Sequence, residues 1–198
     1  MSKLYLQRHL KSQWNLENKF TGWTDVPLSK EGIENAEKAA EKFVGSKIDK
    51  VYTSPLIRNK ETVFLILKNI GKEKLPTVVD KALDERNYGE LQGLNKEETM
   101  QKYGKGKVQL WRRSYTIAPP GGESGKDVYK RAVPFFKKHI EKDLKAGKNI
   151  LVVASHNSLR VIVKYLENVP DEKFGELELP FGALIKYEFD GKNYKKYN

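Results

Sequence analysis

The chain has 198 residues, 37 Lys and Arg against 26 Asp and Glu, and no cysteine. The lack of cysteine excludes a disulfide scaffold, thiolate metal ligands and a cysteine nucleophile, and it is typical of proteins kept in the reducing cytoplasm. Apolar runs such as Ile150–Ala154 are too short to span a bilayer, and Met1–Leu10 lacks the apolar stretch of a signal peptide. We therefore expect a cytoplasmic protein with one domain over residues 1–198. Its net charge of +11 indicates an anionic partner.

The hydrophobic pattern predicts strands that alternate with helices. In chain order the elements are a strand over Leu4–Gln7, a helix over Ser29–Val44, a strand over Ile48–Thr53, a helix from Ser54-Pro55 to a stop at Gly71, a strand over Thr77–Val79, helices over Lys96–Tyr103 and Asp127–Leu144, a strand over Asn149–Ala154, a helix over Ser158–Leu166, a strand over Leu184–Phe189 and a Lys/Tyr-rich tail over Lys192–Asn198. Such alternation favours an α/β fold with a largely parallel sheet, whose ligands gather at the carboxyl ends of the strands.

Arginine is scarce, with 7 residues against 30 lysines. A guanidinium group forms a planar fork that suits carboxylates and phosphates, whereas lysine is a solvated point charge. Five arginines lie within a few residues of a histidine, an acidic residue or each other: Arg8, Arg86, Arg112, Arg113 and Arg160. Arg131 alone lies in a plain amphipathic stretch. The placement indicates a pocket for a small anion, although structural ion pairs remain an alternative for each arginine.

Two of the three histidines follow predicted strands, and we expect them on the same rim of the sheet. His9 follows Arg8, and His156 lies between Ser155 and Asn157, whereas His139 is predicted to be a surface or packing residue. An imidazole can attack phosphorus, with arginines and a second imidazolium balancing the charge and a carboxylic acid exchanging the proton. Glu85 is the candidate acid. Two histidines without a carboxylate cluster do not match common metal sites, so no metal is expected.

Several motifs carry a resemblance to a known family. They are Arg8-His9 with Ser12, Trp14 and Asn15, then Phe20–Asp25 (FTGWTD), Thr53-Ser54 with Arg58, Glu85–Gly89, Leu91–Lys96 (LQGLNK), Trp111–Tyr115 (WRRSY), Pro119–Ser124 and Asn157–Arg160. Together they resemble the cofactor-dependent phosphoglycerate mutases of the histidine phosphatase superfamily, over nearly the whole chain. The resemblance implies a three-layer α/β/α fold with a mostly parallel central sheet.

The resemblance also implies an activity and a set of site residues. His9 would take a phosphoryl group from 2,3-bisphosphoglycerate and pass it between the 2- and 3-oxygens of glycerate, a glycolytic and gluconeogenic reaction, while Glu85 exchanges the proton. The transferred phosphoryl group would be surrounded by Arg8, Ser12, Asn15 and Arg58. The substrate's carboxylate and other phosphate would be held by Thr21, Gly22, Arg86, Tyr88, Lys96, Arg112, Arg113 and Asn157. The substrates would be small phosphorylated three-carbon acids, and the protein a homodimer or homotetramer.

The chain departs from the family pattern at two places. The family's Arg-His-Gly-Glu-Ser reads Arg8-His9-Leu10-Lys11-Ser12, and its Ala-His-Gly-Asn-Ser reads Ala154-Ser155-His156-Asn157-Ser158. Ser155 thus stands where the second catalytic histidine belongs, and a shift of one residue along a strand turns a side chain to the other face. Three interpretations remain open. A bulge or turn brings His156 into the site, Lys11 supplies the missing cation in a slower enzyme, or the site binds phosphorylated ligands and turns over poorly.

Two other functions compete with the mutase. A phosphatase of the same superfamily would let water accept the phosphoryl group from His9, but the loop-rich Glu85–Ser124 region with Arg112 and Arg113 favours a glycerate acceptor. A nucleic-acid-binding protein is suggested only by the net charge. Its aromatic residues are not interleaved with basic runs, and no helix-turn-helix or zinc pattern is present. We expect neither a nucleic-acid nor a membrane partner.

Overall fold

The computed structural model describes residues 1–197, and within this range one sheet runs through the molecule. Its strands are β1 (Ser2–Arg8), β2 (Lys50–Thr53), β3 (Thr77–Val79), β4 (Ile150–Ala154), β5 (Leu184–Phe189) and β6 (Tyr194–Tyr197), in the order β3-β2-β4-β1-β5-β6. The first four are parallel, with Leu4 and Lys50 both opposite Ile150. β5 runs antiparallel to β1, and β6 antiparallel to β5. The expected mostly parallel sheet is confirmed.

Helices pack on both faces of the sheet. Within residues 1–197 the chain forms the helices α1 (Gln13–Leu16), α2 (Lys30–Glu34), α3 (Ala36–Glu41), α4 (Ile57–Asn69), α5 (Lys96–Tyr103), α6 (Lys105–Arg113), α7 (Gly125–Phe135), α8 (Glu141–Lys145) and α9 (His156–Leu166). Leu4 and Leu6 of β1 pack on the face that carries the α7–α9 layer, whereas Tyr5 packs on the face that carries α3 and α4. Because successive side chains of a strand point to opposite faces, β1 contributes to two apolar cores. The expected three-layer fold is confirmed. No helix within residues 1–197 is long and apolar enough to cross a membrane.

Two predicted helices are interrupted in the structure. The predicted helix Ser29–Val44 is two helices, α2 and α3, that meet at Asn35. The Asn35 side chain donates to the Glu31 carbonyl oxygen at 2.7 Å and so competes with the helical ladder. The predicted helix Asp127–Leu144 contains a π-helical turn over Phe136–Ile140, which begins two residues after Pro134, a residue that has no N–H to donate.

The end of the chain is a strand rather than the predicted tail. Gly191 adopts a φ of 103°, and the Asp190 carboxylate accepts hydrogen bonds from the backbone N–H groups of Lys192 and Asn193. This turn returns the chain so that β6 pairs with β5. Asn198, the last residue of the predicted tail, lies outside the described residues. Helices α1 and α6 were also absent from the sequence prediction.

Candidate active site

A cavity of about 220 Å³ opens at the carboxyl ends of β1 and β4. Its cationic lining consists of Arg8, Lys19, Arg58, Lys96, Arg112 and Arg113, and its carboxylates are Glu85 and Glu178. His9 and His156 both line it, together with Asn15, Phe20, Thr21, Gly22, Tyr88 and Phe181. Sequence reasoning missed Lys19, Phe20, Glu178 and Phe181. The surplus of positive charge suits a ligand that carries several negative groups.

His9 follows the last residue of β1, and its ring is almost completely buried. Nδ1 lies 2.6 Å from the Leu10 carbonyl oxygen. A carbonyl oxygen only accepts, so Nδ1 carries the proton and Nε2 keeps a free electron pair. Burial lowers the pKa of His9 well below its ordinary value, and the neighbouring cations of Arg58 and Arg8 lower it further. The ring is therefore neutral and nucleophilic.

Arg8 and Arg58 flank His9. Arg58, in the first turn of α4, donates to the carbonyl oxygens of Gly22 at 2.7 Å and Thr24 at 3.0 Å. Arg8 donates to the Leu179 carbonyl oxygen and stacks 3.8 Å from the centre of the Phe181 ring. Burial lowers the pKa of both groups. That of Arg8 is lowered only to about 10, so this guanidinium group remains charged at neutral pH.

Glu85 is held by backbone donors from two segments. Its Oε1 accepts from the N–H of Arg86 at 2.7 Å and from the N–H of Asn157 at 3.0 Å. Asn157 belongs to the first turn of α9, where N–H groups have no partner within the helix. Glu85 is 7% exposed and lines the cavity. Its carboxyl group can exchange a proton with a ligand oxygen there.

His156 reaches the cavity through a turn. β4 ends at Ala154, Ser155 has extended backbone angles, and His156 is the first residue of α9, two residues before the predicted helix start. The alternation of a strand therefore no longer governs its direction. Its Nε2 lies 3.6 Å from Glu178 Oε2. Burial lowers the pKa of His156 well below its ordinary value, and Arg8, Arg160, Arg113 and Arg86 lower it further.

Ser155 lies away from the cavity that His9 and His156 line. It is completely buried, and its Oγ accepts from Asn59 Nδ2 at 3.2 Å. The same Asn59 amide donates to Ser54 Oγ at 2.6 Å. The residue at the family's histidine position thus belongs to a buried polar group behind the site.

Lys11 also lies away from the His9 cavity. Its Nζ lies 2.9 Å and 3.1 Å from the two carboxylate oxygens of Glu31, beside a neighbouring cavity that Lys38 and Lys42 line as well. Leu10, the residue in place of glycine, is 3% exposed and packs into the core on the α3–α4 face. These positions disfavour Lys11 as the replacement cation.

Several predicted binding residues support the cavity from behind. Arg86 is completely buried and donates to Tyr88 Oη at 3.2 Å and to the Arg112 carbonyl oxygen at 2.9 Å. Asn157 Nδ2 donates to the same Tyr88 hydroxyl at 3.2 Å. Ser12 caps α1 and donates to Asn15 Oδ1 at 2.8 Å. The structure therefore brings Tyr88 and Asn15 to the cavity and places Arg86, Asn157 and Ser12 outside its lining.

Lys96 is a cavity lysine with perturbed acidity. It begins α5, after the cap residue Asn95. Burial lowers its pKa to about 8, and the charges of Arg112 and Arg8 contribute in the same direction. Its charge is thus sensitive to pH near neutrality.

The comparisons with known proteins agree with the fold. The family model of the Histidine phosphatase superfamily (branch 1) matches residues 4–197. A 2,3-bisphosphoglycerate-dependent phosphoglycerate mutase of Treponema denticola is 44% identical and covers 98% of this chain and 89% of its own. The enzyme of the same name from Methanococcus vannielii is 42% identical, with coverages of 99% and 94%.

Solved structures share the fold at lower identity. Bacillus stearothermophilus YhfR superimposes with a TM-score of 0.86 at 24% identity, covering 99% of this chain and 95% of its own. A mycobacterial glucosyl-3-phosphoglycerate phosphatase gives a TM-score of 0.87 at 22% identity, with coverages of 100% and 98%. At such identities the likeness establishes the common architecture.

Proposed function

The chain belongs to the histidine phosphatase superfamily, and on this basis we propose that it interconverts 2-phosphoglycerate and 3-phosphoglycerate through a phosphohistidine at His9. The observation that carries the proposal is the buried His9 ring, whose Nδ1 bonds to the Leu10 carbonyl oxygen and leaves Nε2 free, in a cavity lined by arginines and by Glu85. Relatives named 2,3-bisphosphoglycerate-dependent phosphoglycerate mutase, 40–44% identical over nearly the full chain, support this reaction, a step of glycolysis and gluconeogenesis.

The proposed transfer has two halves. In the first, the free hydroxyl oxygen of the bound phosphoglycerate attacks the phosphorus carried by His9; a P–O bond forms, the N–P bond to Nε2 breaks, and the Glu85 carboxylate takes the hydroxyl proton, which leaves a bisphosphoglycerate in the cavity. In the second, His9 Nε2 attacks the other phosphorus of this bisphosphoglycerate, an N–P bond forms, the P–O bond breaks, and Glu85 returns the proton to the leaving oxygen. Arg8 and Arg58 stabilise the charge on the phosphoryl oxygens in both halves.

The remaining cavity residues hold the rest of the substrate in this proposal. Lys96, Arg112 and Arg113 are cationic and receive the carboxylate and the other phosphate. Thr21, Gly22, Tyr88 and Asn15 contact the ligand as lining residues. Arg86, Asn157 and Ser12 act indirectly, by fixing Tyr88 and Asn15.

The cavity suits 2,3-bisphosphoglycerate as the primer. Its lining carries six cationic side chains and two carboxylates, so the positive charge exceeds the negative charge that could balance it. We assign Arg8 and Arg58 to one phosphate and Lys96, Arg112 and Arg113 to the other charged groups. When bound, the compound supplies the phosphoryl group that loads His9 before the first turnover.

A weaker enzyme or a phosphatase is the second candidate. One observation favours it: Ser155, at the family's histidine position, is bonded to Asn59 and does not line the cavity. A transferred phosphoryl group would then lose one imidazole partner, unless His156 replaces it.

A single reaction mixture separates the two candidates. We would incubate the purified chain with 3-phosphoglycerate and a trace of 2,3-bisphosphoglycerate, and follow 2-phosphoglycerate and inorganic phosphate together by ³¹P NMR. A mutase forms 2-phosphoglycerate faster than phosphate and slows when the primer is omitted. Phosphate release without 2-phosphoglycerate would establish the phosphatase instead, and the His9→Gln variant controls for contaminating enzymes.

Three properties of the whole protein complete the proposal. We place the reaction in the cytoplasm because the chain is free of cysteine. We treat residues 1–198 as one domain. By resemblance to the family we expect a homodimer or homotetramer, which light scattering after size-exclusion chromatography tests directly.

A further inference from the structure

Arg131 holds the main chain that leads into Glu85. It lies on α7, outside the cavity lining. Its Nη1 donates to the carbonyl oxygens of Ala82 and Asp84, each at 2.9 Å, and its Nη2 donates to the Glu85 carbonyl oxygen at 2.9 Å. The planar fork of a guanidinium can span several acceptors in this way, whereas the point charge of a lysine cannot.

Glu123 extends this contact to the other side of Glu85. Its carboxylate accepts from Nε and Nη2 of Arg131, each at 2.9 Å, in a bidentate pair. One of the same oxygens accepts from the N–H of Asn87 at 2.8 Å, and the N–H of Glu123 donates to the Asn87 carbonyl oxygen at 2.8 Å. The Arg131–Glu123 pair therefore bonds to the main chain before, at and after Glu85.

A neighbouring glycine lets the two loops approach closely. Gly89 has a φ of 54°, and a Cβ atom there would lie 2.1 Å from the Pro120 carbonyl oxygen. Glu90 N–H donates to that same oxygen at 3.0 Å. The loop that carries Glu123 therefore packs closely against the segment that follows Glu85.

Trp23 provides another bond at Glu85. Its indole Nε1 donates to the Glu85 carbonyl oxygen at 2.6 Å, so this oxygen accepts from both Trp23 and Arg131. The segment 84–88 is neither helix nor strand and has no backbone ladder of its own. Side-chain donors replace that ladder, and they restrict a backbone that would otherwise keep several conformations.

We propose that Arg131 and Glu123 are positioning residues that fix Glu85 for proton transfer. The inference rests on the proposed role of Glu85 as the group that protonates the leaving oxygen. Proton transfer requires the donor within hydrogen-bond reach of that oxygen, and a small displacement of a catalytic group slows the reaction steeply. Loss of the pair should therefore impair the steps that need Glu85 and spare those that do not.

The leaving group distinguishes these steps. During turnover of 3-phosphoglycerate the leaving group is a glycerate oxygen, which is a poor leaving group and needs a proton from Glu85, whereas the phenolate of 2,4-dinitrophenyl phosphate leaves without one. We expect Arg131→Lys to lower kcat with 3-phosphoglycerate by about 10- to 100-fold. KM and the rate of His9 phosphorylation by 2,4-dinitrophenyl phosphate should stay within about threefold of wild type, since Nε2 and its arginines are unchanged. Glu85→Gln should show the same selectivity.

Two further variants make the test decisive. Lys130→Met, which removes an exposed neighbour on α7, is the matched control and should leave both rates unchanged. Trp23→Phe removes one donor to the Glu85 carbonyl oxygen from a half-exposed side chain, and should give a smaller selective loss even if Arg131→Lys folds poorly.

The outcomes separate this inference from the proposed function. Equal losses with both substrates in Arg131→Lys and Trp23→Phe would show that these residues only maintain the fold, and would overturn the inference. A wild-type chain whose His9 is phosphorylated by neither 2,3-bisphosphoglycerate nor 2,4-dinitrophenyl phosphate would overturn the proposed function itself. Intact-mass measurement of phosphorylated His9 and steady-state kinetics provide both readouts.

Discussion

The Leu10 carbonyl oxygen lies 2.6 Å from Nδ1 of His9 and so directs Nε2 of the nucleophile towards the cavity. The contact comes from the main chain of residue 10, whereas its side chain points away and packs in the core. Leucine in place of the family's glycine is therefore compatible with the orientation of His9. The side chain and the carbonyl group of Leu10 do different things, and mutation can separate them.

Leu10→Ala should affect stability and leave catalysis nearly intact. Removal of a buried leucine side chain leaves a cavity and costs about 2 to 5 kcal/mol of unfolding free energy. The carbonyl oxygen that orients His9 remains, so kcat should fall less than about threefold. Urea denaturation and steady-state kinetics on the same preparation test both halves. A large loss of kcat in a stable variant would contradict the separation.

Substitution of His156, Ser155 and Lys11 distinguishes the three interpretations of the altered motifs. Because His156 lines the cavity, His156→Ala should slow phosphoryl transfer about a hundredfold, the usual effect of removing one group that stabilises the transition state. Ser155→Ala and Lys11→Ala should retain near-normal turnover, since the hydroxyl group bonds to Asn59 and the ammonium group to Glu31.

The measurement is the single-turnover rate of His9 phosphorylation. Equal effects of His156→Ala and Ser155→Ala would remove the assignment of His156, and a severe loss in Lys11→Ala would restore the lysine as the missing cation.

Lys96 should impose an alkaline limit on substrate binding. Its pKa is lowered to about 8, so a rise in pH through this value removes a positive charge from the cavity. We expect KM for 3-phosphoglycerate to increase above about pH 8, with kcat less affected. In Lys96→Arg the charge persists and the increase in KM should move to higher pH. An unchanged pH profile in this variant would show that another group sets the limit.

Asp84 should make stability depend on pH. Burial raises its pKa from 3.8 to about 6, so the folded protein binds this proton more tightly than the unfolded chain does. Its contribution to stability is therefore greatest below pH 4 and declines as pH rises to about 6. The Asp84→Asn side chain cannot ionise, so at pH 8 the free energy of unfolding of this variant should exceed that of wild type by about 1 to 3 kcal/mol.

The matching control for Asp84 is the same comparison at low pH. The difference between Asp84→Asn and wild type should shrink towards pH 4, where the native carboxyl group is protonated as well. Urea midpoints at the two pH values provide the measurement. A difference that does not change with pH would mean that the amide acts through packing or hydrogen bonding alone.

Much of the fold followed from side-chain periodicity, since burial leaves a direct trace in residue type. Leu4, Tyr5 and Leu6 alternate between the two apolar cores, and this alternation predicts a strand covered on both faces. The end of the chain was mispredicted because β6 depends on a turn. That turn is made by hydrogen bonds from main-chain N–H groups to the Asp190 carboxylate. The Lys- and Tyr-rich composition of the segment after the turn does not predict these bonds.

The site was also predictable only where residue types, and not main-chain hydrogen bonds or loops, determine its geometry. Rare residue types at strand ends predicted that His9 and His156 would share one rim, and both line the cavity. Arg131 was assigned no role because its acceptors are main-chain oxygens 46 to 49 residues away. Every residue has a carbonyl oxygen, so the sequence does not show which of them accept from Arg131. Glu178 was missed because an irregular loop carries it into the cavity, where no periodicity marks its direction.

Glu178 should weaken the binding of multiply charged substrates. Its carboxylate pairs with Arg113 and so occupies a cationic group that a substrate anion needs, and it lies 3.6 Å from His156 Nε2. It is half-exposed on a loop, and an anion that binds Arg113 would compete with it. Glu178→Gln keeps the shape and removes the charge, and should lower KM for 3-phosphoglycerate about three- to tenfold. 2,4-Dinitrophenyl phosphate has no second anionic group, so its KM should not change.

The comparison is best made at low ionic strength, where charge effects are least screened. Glu172→Gln is the matched control for Glu178→Gln because the Glu172 carboxylate does not line this cavity. Equal decreases in KM for both substrates would show that Glu178 acts through the electrostatic potential of the whole cavity and not by its pairing with Arg113.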